Sequence, residues 1–111
     1  MAQSVKKNKA LKPVHPGEVI KFDVMEPLGI SVNRLALELR VPATRMSEIV
    51  HGRRGITADT ALRLARFLGT SPRFWMNLQS DYDIRVAENA TGEEIQQQVR
   101  PSRSEREIVV A

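Results

Sequence analysis

The chain has 111 residues, 41% of them hydrophobic, and a net charge of +4, which suits one domain with a modest core but not a core plus an elaborate active-site cleft. It contains no cysteine, which excludes disulfides, thiolate metal sites and thiol catalysis. No apolar run of membrane length is present, and none follows the N-terminal lysines, so we expect a cytoplasmic protein with no membrane partner.

Positive charge is concentrated in two parts of the chain. Residues 1–15 carry +4 and residues 31–73 carry +5, whereas residues 16–30 carry −2 and residues 81–111 carry −3. This asymmetry indicates a polyanionic partner for the basic parts, with a second partner or plain solvation at the acidic end. A solvated charged surface explains the charge equally well when charge is considered alone.

Helix breakers divide the chain, beginning with residues 1–14, which have the composition of a flexible basic arm or a solvated tail. Pro16 then suits the first turn of a first helix, which Pro27 and Gly29 end. The expected inner stripe of this helix consists of Ile20, Val24 and Leu28.

Two short helices follow, separated by a tight turn. Ser31 is a good N-cap for the second helix. Pro42 lacks an N–H and disfavours helical geometry at the preceding residue, so the chain must turn at Arg40 and Val41. The inner stripe of the second helix, spaced i, i+3, i+4, i+7, is Val32, Leu35, Ala36 and Leu39. The inner face of the third helix is Met46, Ile49 and Val50.

Two further helices complete the expected set. Gly52 and Gly55 end the third helix, Thr57 can cap a fourth, and Gly69 stops it. Its expected stripe is Ala61, Leu62, Ala65 and Leu68. The fifth is expected to start at Ser71 and Pro72 and to present Trp75, Leu78 and Tyr82 along one side. From Glu88 onward apolar residues are sparse, which predicts at most one more loose helix and a mobile polar tail over residues 91–111.

A striped short helix, a tight turn and a second short helix form the pattern of a helix-turn-helix. The third helix would then present a short polar outer face made of Ala43, Thr44, Arg45, Ser47 and Glu48. Arg45 can form bidentate hydrogen bonds to a guanine edge, Thr44 offers a hydroxyl and a methyl group, and Ala43 permits close approach to a thymine methyl. In this arrangement the third helix enters the major groove of DNA while the second crosses the backbone.

Basic residues follow the third helix directly. Arg53 and Arg54 can contact phosphates there, and His51 can add one hydrogen bond from a neutral ring. Each phosphate that an arginine neutralises steepens the salt dependence of binding. The alternative is that the two arginines are a solvated pair beside a helix C-terminus.

An enzyme is poorly supported by this sequence. It has two histidines, His15 and His51, but no HExxH pattern, no serine at a useful spacing from a histidine or an acid, and no phosphate loop around Gly52 and Gly55. We therefore expect no catalytic residue, no metal ion and no cofactor, and we expect His15 to be a helix-start residue.

Residues 16–84 resemble the HigA (VapI-type) antitoxins of bacterial toxin–antitoxin operons, a branch of the xenobiotic-response-element (Cro/C1-like) helix-turn-helix proteins. The matching elements are HPGE at residues 15–18, LA at 35–36, HGRRGIT at 51–57 and FWMNLQ at 74–79. The resemblance implies an all-α, five-helix Cro/C1-type (lambda-repressor-like) DNA-binding domain, which we place at residues 15–90. Where the family often has glycine at the turn this chain has Arg40, which costs about 1 kcal/mol if the backbone is left-handed. Where the family often caps the third helix with serine it has Pro42, which offers no capping oxygen.

The resemblance also implies a homodimer that binds a palindromic operator in double-stranded DNA, represses its own operon and neutralises a HigB-like toxin of the RelE type, which cleaves mRNA on the ribosome. The base-reading residues would be Ala43, Thr44, Arg45 and Ser47. The phosphate contacts would be Asn33, Arg34, His51, Arg53 and Arg54. The alternative function is a stand-alone regulator of the same superfamily without a toxin partner.

Two parts of the chain allow more than one interpretation. The stripe of Trp75, Leu78 and Tyr82 fits a core or a dimer seam that would hold two recognition helices about 34 Å apart. Phe74 and Met76 point away from that stripe and are the candidates for the dimer interface. The acidic C-terminal segment can bind a basic toxin or be an inert tail, and toxin contact by the folded domain or the basic arm is a further alternative.

Overall fold

The computed structural model describes residues 12–102, so residues 1–11 of the predicted arm and residues 103–111 of the predicted tail lie outside the described part. Five helices are present in that part, with no strand, which confirms the all-α five-helix prediction. Helix α1 covers residues 16–28, and the others are α2, Val32–Leu39; α3, Ala43–Val50; α4, Ala58–Leu68; and α5, Pro72–Gln98. None of the described helices is both long and apolar enough to cross a membrane.

Helix α1 changes its winding along its length. Its segments, in order α-helical, π-helical and α-helical, are Pro16–Val19, Ile20–Met25 and Glu26–Leu28. The wide segment precedes Pro27, whose ring would collide with the carbonyl four residues earlier in a regular α-helix. Ile20 and Val24 are buried as expected, but Leu28 is 53% exposed. The prediction for Leu28 is wrong because the wider turns rotate the end of the helix away from the buried stripe.

Hydroxyl side chains cap three of the helices, as their positions in the sequence predict. In each case the side-chain oxygen accepts a hydrogen bond from the backbone N–H three residues further on, which would otherwise have no partner. The caps and their distances are Ser31 to Arg34, 3.1 Å; Thr57 to Thr60, 3.3 Å; and Ser71 to Phe74, 3.1 Å.

The turn between α2 and α3 is left-handed at Arg40, where φ is 60° and ψ is 45°. The Arg40 N–H donates to the Leu37 carbonyl over 3.2 Å and the Val41 N–H to the Ala36 carbonyl over 3.0 Å. This is the Schellman arrangement, in which glycine is the usual left-handed residue. Arg40 therefore carries the expected strain of about 1 kcal/mol. Pro42 then starts α3 without any side-chain cap, also as expected.

The core lies where α2 packs on α3, α4 packs on α5, and α1 packs on α3 and α5. Its buried side chains are Ile20, Val24, Leu35, Ala36, Leu39, Met46, Ile49, Val50, Ile56, Ala61, Leu64 and Trp75. This confirms the inner face predicted for α3 and the stripe predicted for α2, with Val32 at the edge of the core. In α4 the prediction of Leu62 is wrong: it is exposed, and Leu64 is buried instead. Leu62 lies one residue, and so about 100° around the helix, from buried Ala61.

Helix α5 is longer than the sequence predicts. It runs unbroken through Gly92 to Gln98, so it extends into the stretch from residue 91 that the sequence predicts to be a polar tail. A single glycine inside a helix lowers its stability without ending it. Trp75 and Gln79 anchor the helix in the domain, whereas the side chains beyond Tyr82 are mainly exposed.

Helix α1 reaches the backbone of α3 through a glycine. A Cβ atom at Gly17 would overlap the backbone carbonyl oxygen of Ile49, and its neighbour Pro16 is fully buried. Only glycine allows the two backbones to approach so closely. The contact therefore sets the distance between α1 and α3.

Gly17→Ala should lower the free energy of unfolding by about 1–3 kcal/mol or more, because the added methyl group meets backbone that cannot rotate away. Gly92→Ala is the matched control. There a Cβ makes only an ordinary 3.8 Å contact with Glu88, so helix propensity should raise stability by about 0.5–1 kcal/mol. Urea unfolding followed by circular dichroism measures both. A midpoint for Gly17→Ala at or above that of the unaltered chain would contradict the close contact.

Candidate nucleic-acid interface

The first turn of α3 places small and polar side chains at the surface. Ala43 and Thr44 are exposed, and Arg45 and Ser47 are half-buried. Met46, between them, points into the core and is fully buried. The start of a recognition helix is the part that reads base edges in a helix-turn-helix, so these side chains have the position that the prediction requires.

Three of the arginines predicted to contact DNA pair with carboxylates in the isolated chain. The pairs and their N···O distances are Arg34–Glu38, 2.9 Å; Arg45–Asp59, 3.2 Å; and Arg54–Glu48, 2.7 Å. All three pairs lie at the surface, where solvent and salt screen them. A DNA phosphate or base can therefore bind each arginine, either in place of its carboxylate or together with it, at little cost in free energy.

Arg53 differs from these arginines. It is exposed and has no ion pair or side-chain hydrogen bond within residues 12–102. Its backbone N–H donates to the Glu48 carbonyl over 2.8 Å, which places it directly after the end of α3. Its guanidinium is therefore available to a phosphate without the loss of an existing contact.

The ring of His51 hydrogen-bonds to the last turn of α3. Its Nδ1 lies 2.7 Å from the backbone carbonyl oxygen of Ser47. A carbonyl only accepts, so Nδ1 must donate, and Nε2 of the neutral ring is left as an acceptor. Phosphate oxygens also only accept, so the phosphate contact predicted for His51 needs an N–H at Nε2.

His15 starts α1, as predicted, and also holds two other elements. Its Nδ1 accepts a hydrogen bond from the Gly17 N–H over 2.9 Å, and the ring hydrogen-bonds to the backbone of Arg54. Its ring meets that of Tyr82 edge-on, with centroids 4.8 Å apart. One buried imidazole therefore joins the start of α1, the loop after α3 and helix α5.

Burial lowers the pKa of His15 and outweighs three effects that raise it: the nearby charges of Glu18 and Asp83 and the hydrogen bond with the backbone of Arg54. The hydrogen bond at Nδ1 acts in the same direction as burial, because a protonated Nδ1 cannot accept a hydrogen bond from Gly17. The ring is therefore held in its neutral form.

Gln79 holds the same loop from helix α5, a role that the sequence does not predict. Its Oε1 accepts from the Ile56 N–H over 2.7 Å, and its Nε2 donates to Asp83 Oδ1 over 2.9 Å. A Cβ atom at Gly55 would lie only 3.0 Å from Gln79 Nε2, so the loop fits closely against the amide. The available signal is its position four residues after Trp75, where a polar side chain lies on the core stripe of α5.

Comparison with known proteins agrees with this architecture. A family model described as helix-turn-helix matches residues 23–75. Virulence-associated protein I of Dichelobacter nodosus is 47% identical over 75 residues, which cover 68% of this chain and 69% of that protein. An addiction module antidote protein of the HigA family from Coxiella burnetii has a TM-score of 0.80 at 46% identity, over 83% of this chain and 100% of that one. The Pseudomonas aeruginosa antitoxin HigA, solved with the higBA promoter, has a TM-score of 0.80 at 42% identity over 81% and 98% of the two chains.

The chain belongs to the HigA (VapI-type) helix-turn-helix family. This is a family of DNA-binding antitoxins and transcription regulators within the Cro/C1-like group, and it is not a family of enzymes.

The two residues predicted for a dimer interface of this HigA-type chain have different surroundings. Phe74 is 44% exposed and meets the Trp75 ring edge-on, with centroids 4.9 Å apart. Met76 packs against the core, so the expectation that it points away from the buried stripe is wrong. A long, flexible methionine side chain can bend back to fill the edge of a core. The Trp75 ring itself is 1% exposed, and its Nε1 donates to Thr70 Oγ1 over 2.8 Å.

Acid should weaken the fold through His15. Because its pKa is lowered from 6.5 in the folded state, the unfolded chain binds the proton more firmly. The contribution of His15 to stability is therefore complete above about pH 6.5 and is lost as the pH falls below that value. His15→Asn keeps a capping acceptor but does not titrate, so its unfolding free energy should fall less between about pH 7.5 and about pH 5. Parallel pH profiles of the two proteins would contradict this role.

Proposed function

We propose that this protein is a homodimeric HigA-type antitoxin that binds a palindromic operator, represses its own operon and neutralises a HigB-like, mRNA-cleaving toxin of the RelE type. The observation that carries the DNA-binding part is the exposed first turn of α3, held at a set distance by the contact of Gly17 with Ile49. Arg53 lies beside the end of the same helix and has no ion pair in the part of the chain that the structure describes, so it adds a cation where the DNA backbone would pass.

The proposed role of each residue in DNA binding follows from the chemistry of its side chain. In the major groove, base edges would be read by Ala43, Thr44, Arg45 and Ser47. The backbone would be contacted by Asn33, Arg34, His51, Arg53 and Arg54. Arg45 uses one N–H on Asp59, and a guanidinium has five, so enough donors stay free for a bidentate contact to guanine.

A dimer of this chain would present two recognition helices, one to each of two successive major grooves. Two-fold symmetry of the protein would match the two-fold symmetry of a palindromic operator. We place the interface at Phe74, whose exposed ring lies at the start of α5, with Met76 beside it at the edge of the core. The antitoxin HigA of Pseudomonas aeruginosa, which shares this fold, was solved with promoter DNA, and this supports DNA as the partner.

The toxin contact is proposed at the acidic C-terminal third of the chain. Within the described part, Glu93 and Glu94 lie on the exposed far half of α5, where they can meet a basic protein. A stand-alone regulator without a toxin is the alternative. A toxin-like reading frame beside the gene, and co-purification of its product with this chain, would separate the two.

The function is tested by binding of the purified protein to its own promoter fragment and to unrelated DNA over several salt concentrations. Tight, salt-sensitive binding that prefers the promoter is expected. Arg45→Ala should weaken promoter binding by about 1–3 kcal/mol and relax its sequence preference. Arg53→Ala is the control that removes the same charge: it should weaken both DNAs nearly equally and lower the salt slope by about one unit.

Each alternative result has its own meaning. Equal, weak binding of both fragments by the unaltered protein would overturn the repressor. Equal loss on both DNAs for Arg45→Ala would remove Arg45 from base reading, and an unchanged salt slope for Arg53→Ala would make Arg53 a merely solvated residue.

A further inference from the structure

The carboxylate of Asp59 lies between two arginines at the start of α4. One oxygen, Oδ2, accepts from Arg63 Nε over 2.9 Å and from Arg45 Nη1 over 3.2 Å. Arg63 comes from the same helix, one turn further on, whereas Arg45 comes from the outer face of α3. Asp59 therefore joins α4 to the helix proposed to read the bases.

Arg63 is itself anchored to the helix-turn-helix turn. Its Nη1 donates to the Leu39 carbonyl over 3.0 Å and to the carbonyl of left-handed Arg40 over 3.4 Å. A continuous series of hydrogen bonds thus runs from the backbone of the turn through Arg63 and Asp59 to Arg45. Both ends of the series belong to the helix-turn-helix, and only its middle belongs to α4.

The arrangement is suited to orienting a guanidinium. An arginine has many rotamers, and holding it in one of them reduces the entropy lost when it binds a planar target. The hydrogen bonds and charges of Arg63 and Arg45 lower the pKa of Asp59, in that order of importance, so the carboxylate stays ionised at neutral pH. Half of its side chain is exposed, and Arg45 can keep this contact while its remaining N–H groups face a base.

We infer that Asp59 is a positioning residue that sets the sequence preference of this protein without touching a base, by holding Arg45 in its base-reading orientation with Arg63 as the anchor. This rests on the proposed role of Arg45. Asp59 is then a determinant of specificity outside the recognition helix.

The test is Asp59→Asn in the full-length protein, measured as the ratio of its affinities for the promoter fragment and for unrelated DNA at one salt concentration. The ratio should fall roughly threefold to tenfold. Affinity for unrelated DNA should be unchanged or rise, because one negative charge is removed. Glu38→Gln is the matched control: it removes the same charge from the comparable Arg34 pair on α2 but should leave the ratio unchanged, because Arg34 is proposed to contact the DNA backbone and not a base.

Two more variants separate orientation from a general structural effect. In an Arg45→Ala background, Asp59→Asn should cause no further loss of the ratio. Arg63→Gln, which removes the anchor and leaves Asp59 and Arg45 in place, should lower the ratio as Asp59→Asn does. It also tests the inference if Asp59→Asn does not fold. Thermal unfolding of each variant shows which of them are folded.

The outcomes are distinguishable from a failure of the proposed function. If Arg45→Ala leaves the ratio unchanged, the base-reading role of Arg45 fails. If Arg45→Ala lowers the ratio but folded Asp59→Asn or Arg63→Gln does not, the positioning role is overturned. An equal fall of the ratio for Glu38→Gln, or a further fall for the double variant, would likewise overturn it.

Discussion

The close approach of Gly17 to the backbone carbonyl of Ile49 sets how α1 packs on the recognition helix α3. It brings the first turn of α1 against the backbone of α3, and no side chain can occupy the space between them. His15 caps that same turn and Pro16 is buried beside it. His15, Pro16 and Gly17 of the HPGE motif thus all serve one helix–helix contact.

The loop after α3 is held from two directions. His15 reaches it from the start of α1 through the backbone of Arg54, and Gln79 reaches it from α5 through the N–H of Ile56. Both groups are buried and act through hydrogen bonds to the backbone, which are costly to leave unmade inside a protein. The loop can therefore present Arg53 to solvent from a firmly held backbone.

Acidic residues on the basic surface hold arginine side chains in position, in addition to reducing the net charge of that surface. Glu38, Glu48 and Asp59 each hold an arginine that is proposed to contact DNA. Such surface pairs are weak in water, so they can orient side chains in the isolated chain without preventing a nucleic acid from engaging them. Arg63 also donates to the carbonyls around left-handed Arg40, which stabilises the turn where the chain carries backbone strain.

The local features could be predicted from residues close together in the chain: five helices, their serine and threonine caps, the turn enforced by Pro42, and the inward stripes of α2 and α3. These follow from hydrogen-bonding capacity and helical periodicity within short segments. The exposure of Leu28 and the unbroken course of α5 past Gly92 could not be predicted in this way. The first depends on the π-helical turns earlier in α1, and the second on whether the rest of α5 is stable enough to continue through a glycine. Three contacts arise from the packing of separate elements: the close approach of Gly17, the amide of Gln79 at the loop, and the connection from Arg63 through Asp59 to Arg45. Each joins residues from different helices, and their mutual distance is set by packing, which no local pattern encodes.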